Sequence, residues 1–474
     1  MKKIITISLC LFTARAVLSQ VSIDSSLLLY PENIIEITFE NNDRIKASYY
    51  QLESAKNNFK LFESEYTQFN PLILSPSFTA NSDKEYSSDM TAGVQKEFFN
   101  GTSISTEVGT NNEWGANVDR GTINLIEAEI GFPLFSSSRV LERIIKRTYE
   151  ENELYAKHLD YVDAVRNNLH SALEQYYDLV PRIKIHEMLK EYRKELSDML
   201  EGENQNIRDA DKEQIGGEIT SLNSKITGWE IMLYRLQLDL QRFMNVEHID
   251  LDQLIKIEID FSQPQYFGEY YLNEVTDSIY NKALINDTEF KVLGLIKNNA
   301  EEKKRLAEKG KWDIYATTGG RYNFYAMTGA QREDGYLYAD AGLNIKINDR
   351  KVLKYTIAKA QADINAIDYT ITDRRKFIQA DILQLQDGLI KKKEQLISTN
   401  ASLLSWKRTY AAKKAMFISE QESVDNLIQA FRSLVSTHET LFQLENNYLD
   451  LIRDLDYVCG QYFTVINLDS QSIK

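Results

Sequence analysis

Two periods alternate along this chain. Between Val162 and His186 apolar residues recur at Val162, Val165, Leu169, Ala172, Tyr176, Leu179, Ile183 and His186, the three-four spacing that keeps one stripe of a helix against a partner. The stripe resumes at Ile219, Leu222, Ile226, Trp229, Leu233, Leu236, Leu240 and Phe243, which predicts an antiparallel helical hairpin reversing near residues 200 to 213. A second pair follows. Its descending helix carries Ile382, Leu385, Leu389, Leu396, Leu403, Trp406 and Tyr410, and its return carries Leu427, Phe431, Leu434, Leu441, Leu444, Tyr448, Leu451, Leu455 and Val458. The descending helices are predicted from about Ser136 to Met199 and from about Lys351 to Lys414, roughly 60 residues each and about 90 Å long at 1.5 Å per residue. Pro181 lies inside the first and is expected to kink or interrupt it.

The segments ahead of these helices have period two. From Tyr336 to Asn348, Leu337, Ala339, Ala341, Leu343, Ile345 and Ile347 alternate with polar residues and glycine, so a strand with one apolar face is predicted. Its expected partner runs from Asp313 to Tyr325, with Ile314, Ala316, Thr318, Gly320, Tyr322 and Phe324 on one face and the loop Gly329–Gly335 between the two strands. The matching strands earlier in the chain are Leu72–Ala80 and Leu125–Leu134. Each is near the length a tilted strand needs to cross a bilayer. A soluble sheet with one wet face is the plainer reading, but the long helices leave no layer free to cover the apolar face, and lipid is the simpler cover.

Targeting and charge add to this picture. Met1, Lys2 and Lys3 precede the apolar run Ile4–Phe12, and Val17 and Ser19 suit cleavage before Gln20, the pattern of a secretory signal peptide over residues 1–19. Cys10 lies within the apolar run without a small residue before it, which argues against a lipoprotein anchor and leaves Cys459 with no partner for a disulfide. No later stretch reaches 18 uninterrupted apolar residues, so a barrel is the expected way to span a membrane. The net charge of -15 disfavours nucleic acid as a partner. The five histidines, His158, His170, His186, His248 and His438, form no zinc spacing, and no nucleophile elbow, phosphate loop or dinucleotide fingerprint occurs. Neither an enzyme nor a metal or other cofactor is expected, and His186 sits at a heptad position as a packed residue.

In order, spacing and duplication the residues resemble the TolC-like outer membrane efflux proteins. The local matches are Gly131-Phe132-Pro133-Leu134-Phe135-Ser136 followed by Arg139, similar to that family's strand exit, and Asn344-Ile345-Lys346-Ile347 followed by Arg350, which lacks the proline. The resemblance covers essentially the whole mature chain. It implies a mixed α and β fold, a trimeric transmembrane β-barrel continued by a long periplasmic α-helical barrel of coiled-coil hairpins. The resulting plan is a first repeat at 20–245, an inter-repeat equatorial segment at 246–270, a second repeat at 271–460 and a tail at 461–474. It also implies a homotrimer in the outer membrane, acting with a periplasmic adaptor and an inner-membrane transporter as a passive exit duct for efflux or type I secretion. A periplasmic coiled-coil adaptor or structural protein is the alternative.

At the second hairpin tip the family reads Val-Asp-Val-Leu-Asp-Ala, and here the aligned run is Asp425-Asn426-Leu427-Ile428-Gln429-Ala430. Asn426 and Gln429 therefore stand at the acid positions of the periplasmic constriction, and Glu420, Glu422 and Asp425 are candidates for a displaced acidic ring. By the same resemblance Phe417, Ser419 and Glu420 are the expected adaptor contacts. Glu420 replaces the family's tip glycine, exchanging close backbone approach for side-chain bulk. The first tip, around Arg208, Asp209, Ala210 and Asp211, carries no family signature. A second departure is the turn Phe99-Asn100-Gly101-Thr102, which joins Thr91–Phe98 to Ser103–Thr110 as an extra hairpin. The family has four strands per subunit and twelve per barrel. The extra hairpin either widens the barrel or hangs at its rim, and both remain open.

Overall fold

The computed structural model describes residues 28–67, 73–80, 85–115, 121–134, 138–201, 207–254, 270–274, 276–309, 312–326, 336–347 and 350–466. The expected signal peptide, residues 255–269 of the inter-repeat segment, the loop Gly329–Gly335 and the end of the 461–474 tail lie outside them. The described elements run α1 (Pro31–Asn41), α2 (Asp43–Thr67), β1 (Ile73–Ala80), β2 (Glu85–Glu97), β3 (Ser103–Gly115), β4 (Gly121–Pro133), α3 (Ser138–Glu201) and α4 (Asp209–Met244). After a short 3-10 turn at Leu251–Gln253 come α5 (Tyr270–Asn273), α6 (Thr276–Asn286), α7 (Thr288–Lys309), β5 (Trp312–Ala326), β6 (Tyr336–Ile347), α8 (Arg350–Ile418), α9 (Val424–Cys459) and α10 (Tyr462–Val465). Helices, strands, a long helix and a return helix thus occur twice in order. The chain divides into one unit of 1–50, 159–288 and 374–474 and a second of 51–158 and 289–373.

The second unit holds a six-stranded antiparallel sheet in the order β1-β2-β3-β4-β5-β6. Its register carries the alternation across every strand. Leu74, Ala92, Val108, Ile126, Tyr322 and Leu337 lie side by side on one face. The adjacent row on the other face contains Gly93, Glu107, Glu127, Arg321 and Tyr338. Ile126, Ile130, Phe132, Leu337, Leu343, Ile345 and Ile347 are all exposed, so the apolar face has no cover among the described residues. β5 and β6 follow the expected faces, since Ile314, Ala316, Thr318, Gly320 and Tyr322 pair with Ile345, Leu343, Ala341, Ala339 and Leu337.

The extra hairpin is a full part of this sheet. β2 and β3 stand between β1 and β4, so Leu72–Ala80 and Leu125–Leu134, the strands matched by sequence, are not neighbours. The Phe98 N–H donates to the Thr102 carbonyl at 2.8 Å and the Gly101 N–H to the Phe98 carbonyl at 2.9 Å. Gly101 closes this turn at φ 87, a left-handed conformation that favours glycine.

In the first unit the heptad stripes are the core. Val162, Val165, Leu169, Ala172, Tyr176, Leu179 and Ile183 are buried, as are Ile382, Leu389, Leu396, Leu403 and Tyr410. His186, at the end of the first stripe, lies 3.3 Å from Glu230 of α4. Of the kink or interruption expected at Pro181, the interruption does not occur, for α3 is continuous from Ser138 to Glu201. Losing the proline's hydrogen bond in a helix interior costs about 3 kcal/mol. Around it Leu179, Val180 and Ile183 are buried, and burial at about 1.5–3 kcal/mol per large apolar side chain outweighs that cost. Polar ties fix the register of the two hairpins, with Lys184–Glu445 at 3.3 Å, Lys225–Glu439 at 3.0 Å and Arg432 paired with Glu218.

Near the end of α9 the core turns polar. The Tyr271 hydroxyl donates to Asp456 at 3.0 Å, and Arg453 pairs with Asp450 at 2.9 Å and Asp454 at 3.1 Å. Burial pushes the Asp456 carboxyl up to about 8, with only a partial offset from Tyr271, so the folded chain favours its protonated form. A carboxyl raised in the folded state favours folding while protonated, and this contribution fades as pH climbs from the ordinary carboxylate range toward about 8. Asp456→Asn cannot ionise. Its melting temperature is expected to gain on the parent's steadily between about pH 5 and about pH 8, and a constant offset over that range would contradict this.

Candidate functional site

The two hairpin reversals belong to the first unit and meet around one cleft. Ile207, Arg208 and Asp211 from the first tip and Phe417, Ile418, Glu420 and Glu422 from the second line a cavity of about 350 Å³. On the first side Arg208, just before α4, grips the Asp211 carboxylate in the helix's first turn at 2.9 and 3.3 Å. An acid in the first turn of a helix also meets the positive end of the helix dipole.

The second tip is built by helix termination. The Gln421 N–H donates to the Met416 carbonyl at 2.9 Å and the Glu420 N–H to the Phe417 carbonyl at 3.0 Å, the bond pair of a Schellman motif whose αL position glycine usually fills. Here that position is Glu420, at φ 61. A left-handed L-residue costs roughly 1 kcal/mol, so Glu420→Gly is expected to stabilise the tip by about 0.5–1 kcal/mol against a Glu420→Ala control. Equal denaturation midpoints for the two variants would contradict this. Downstream, Ser423 caps α9 by accepting from the Asn426 N–H at 3.4 Å.

Glu422 holds the turn together. It pairs with Lys413 of α8, accepts from the Asn426 amide at 2.6 Å and accepts from the Ser423 N–H at 3.2 Å. The Lys413 ammonium first, then the Asn426 amide and the Ser423 N–H, pull its carboxyl down to about 2. Of the three acids named for a displaced ring, Glu422 is therefore engaged inside the chain, while Glu420 and Asp425 are exposed. Asn426 and Gln429 are also exposed, and Asn426 is held by the same knot. Phe417, expected at an adaptor contact, is 7 % exposed and packs in the hairpin core. Ser419 donates its hydroxyl to the Met416 carbonyl at 3.0 Å.

Sequence reasoning passed over Lys413 and the Arg208–Asp211 pair. The second has a local signal, opposite charges three apart at a helix start. Lys413 and Glu422 have none, because they are brought together only by the turn between them. Among the described residues no group of three His, Cys, Asp or Glu is arranged to hold a metal ion, and no helix is long and apolar enough to cross a membrane.

No family model matches the chain, and no curated protein matches it. Solved structures do match. The outer membrane protein VceC from Vibrio cholerae is 10% identical over 91% of this chain and 96% of its own, with a TM-score of 0.62. The CmeC outer membrane channel of Campylobacter jejuni is 11% identical over 97% and 95%, with a TM-score of 0.60. The MtrE outer membrane channel of Neisseria gonorrhoeae, in its open state, is 10% identical over 93% and 94%, with a TM-score of 0.58. What is shared at such identities is the architecture, and over nearly its whole length this chain has the fold of outer membrane channels.

Proposed function

We propose that this chain is the outer membrane exit duct of a tripartite efflux or type I secretion system, a homotrimer whose barrel spans the membrane and whose hairpins reach into the periplasm. One observation carries the reading: an antiparallel sheet with an uncovered apolar face and a polar opposite face is joined, in one chain, to two long heptad hairpins. Lipid satisfies the first face and water the second.

Assembly is supported by a second seam on α8. One residue beyond the buried stripe, Leu383, Ile390, Ile397 and Leu404 recur every seven positions at 50, 48, 53 and 51 % exposure. On α4, Ile231, Tyr234 and Leu238 are exposed in the same manner. Contiguous apolar stripes of this kind mark protein interfaces, and neighbouring copies are the occupants this reading supplies. An inner-membrane pump and a periplasmic adaptor would deliver substrate, the adaptor meeting the exposed Ser419 and Glu420 rather than the buried Phe417. Asn426, Gln429, Asp425, Glu422 and Glu420 are the tip residues nearest the proposed constriction. A periplasmic adaptor is the weaker reading, since it needs one hairpin and a compact β module rather than two hairpins and an open sheet.

Fractionation tests the reading. The protein is expected in the outer membrane pellet, released only by detergent, whereas recovery in the soluble periplasmic fraction would refute it. Asn426→Asp with Gln429→Asp should add up to six carboxylates to the trimer's tip and strengthen block of its current by divalent cations severalfold. Unchanged block would put the constriction elsewhere.

A further inference from the structure

The sheet is wider than the channel reading requires, and it is unfinished. Among the described residues β1 and β6 each have one partner, which leaves two open edges, and open sheet edges do not occur in hydrocarbon. One copy cannot remove them by curling up, because single-chain membrane barrels begin at about eight strands.

We propose that the assembled barrel has eighteen strands, six from each of three copies, with the β1 edge of one copy paired to the β6 edge of the next. This rests on the trimeric channel reading. Three features put the inserted hairpin in the wall rather than at the rim. First, its ladders are complete: β2 pairs with β3 from Glu85–Gly115 to Glu97–Ser103, and β3 with β4 from Ser103–Gly131 to Glu113–Gly121. At 13 residues each, β2 and β3 exceed the roughly 9–11 that a tilted strand needs to cross.

Second, the hairpin has the two faces a wall strand needs. Asp89, Thr91, Gln95, Ser105, Glu107 and Asn111 share one side, while Ala92 and Val108 continue the apolar row between Leu74 and Ile126. Third, its turn is fastened to the helices at the base of the sheet. Arg143 of α3 donates to the Phe98 carbonyl at 2.6 Å and pairs with Glu97. Phe99 packs edge-on against Tyr66 of α2 at 5.8 Å beneath Arg147 at 5.3 Å. A hairpin loose at the rim would have no such floor.

Closure then differs from the twelve strands that the resemblance implies. With strands about 4.8 Å apart and tilted about 40°, eighteen give a backbone diameter of about 36 Å and twelve give about 24 Å. The mouth on this reading is half again as wide. The joint between copies is its weakest ladder, because β1 has 8 residues and Pro76 among them has no N–H to donate.

The test takes full-length protein extracted from membranes in detergent, measures its mass by light scattering and images the barrel end-on by electron cryomicroscopy. Three copies with a ring near 36 Å are expected. Three copies with a ring near 24 Å would overturn the proposal and keep the channel, the hairpin then lying outside the wall. Two copies with a ring near 24 Å would overturn it differently, by closing twelve strands from two chains. Single copies without a ring would overturn the channel reading and this proposal with it. Val108→Trp supplies a separate readout in lipid vesicles. Bromine-labelled acyl chains should quench the added indole, and an unquenched indole would take β3 out of the wall.

Discussion

Ile390→Lys combined with Ile397→Lys is expected to abolish the proposed trimer while leaving the fold of each chain intact. Both side chains sit on the outer α8 seam at 48 and 53 % exposure, one residue past Leu389 and Leu396, which are 0 and 1 % exposed. The seam residues therefore contribute little to the single chain. Covering the remaining half of each is worth about 1 kcal/mol per residue, and the proposed trimer would hold six of them. Lysine removes that term and would place six ammonium groups in an apolar seam, where desolvation adds several kcal/mol. In detergent the double variant should run as single copies with a melting profile close to that of dissociated parent. Leu389→Ala should behave in the opposite way, losing about 2–5 kcal/mol of stability from the cavity in the hairpin itself. If the double lysine variant stays trimeric, the outer seam is not the contact between copies.

Ile126→Arg should be the most damaging change in the sheet. Ile126 lies midway along β4, 49 % exposed and flanked on the same face by Val108 and Tyr322. An arginine on the lipid face near the bilayer midplane costs about 2–4 kcal/mol, or on the order of 10 kcal/mol over three copies. Glu129→Arg is the control. It adds an arginine three residues along the same strand on the opposite face, in a row with Ser105, Gly319 and Asp340, where water would solvate it. The temperature at which assembled protein dissociates on a gel should fall steeply for Ile126→Arg and barely for Glu129→Arg. Equal losses would mean that the apolar face does not lie in lipid.

How much of this was legible in the sequence depends on how local the cause is. β5 and β6 were legible almost to the residue, because Leu337 to Ile347 alternate without a break and a flipped register would expose every apolar side chain to the wrong face. The inserted hairpin was legible at its turn, where Asn100-Gly101 demands a left-handed residue. Its length was not, since Ser87, Ser88 and Asp89 near the start of β2 show no apolar alternation. Its position between β1 and β4 was not legible either, because strand order depends on pairing between distant segments rather than on local pattern. The core stripe on α8 was read from its heptads, but the outer seam at Leu383, Ile390, Ile397 and Leu404 was masked by the buried stripe beside it.

The tip divides in the same way. Glu420 could be marked from sequence as a residue in a glycine's place, and its φ of 61 shows the backbone that glycine would favour. The Lys413–Glu422 pair forms only after α8 has ended and the chain has turned, so no periodicity announces it. Pro181 carried the reverse lesson. A local rule called for a kink or a break, and with Leu179, Val180 and Ile183 packed around it the helix runs on without a break.

Single-channel recording tests the central claim most directly. Detergent-purified protein added to a planar lipid bilayer should give discrete, cation-preferring steps of one size, and Asn426→Asp with Gln429→Asp should alter their block by divalent ions. A bilayer that stays silent with correctly folded, membrane-extracted protein would contradict the duct and leave the sheet without a function in the membrane.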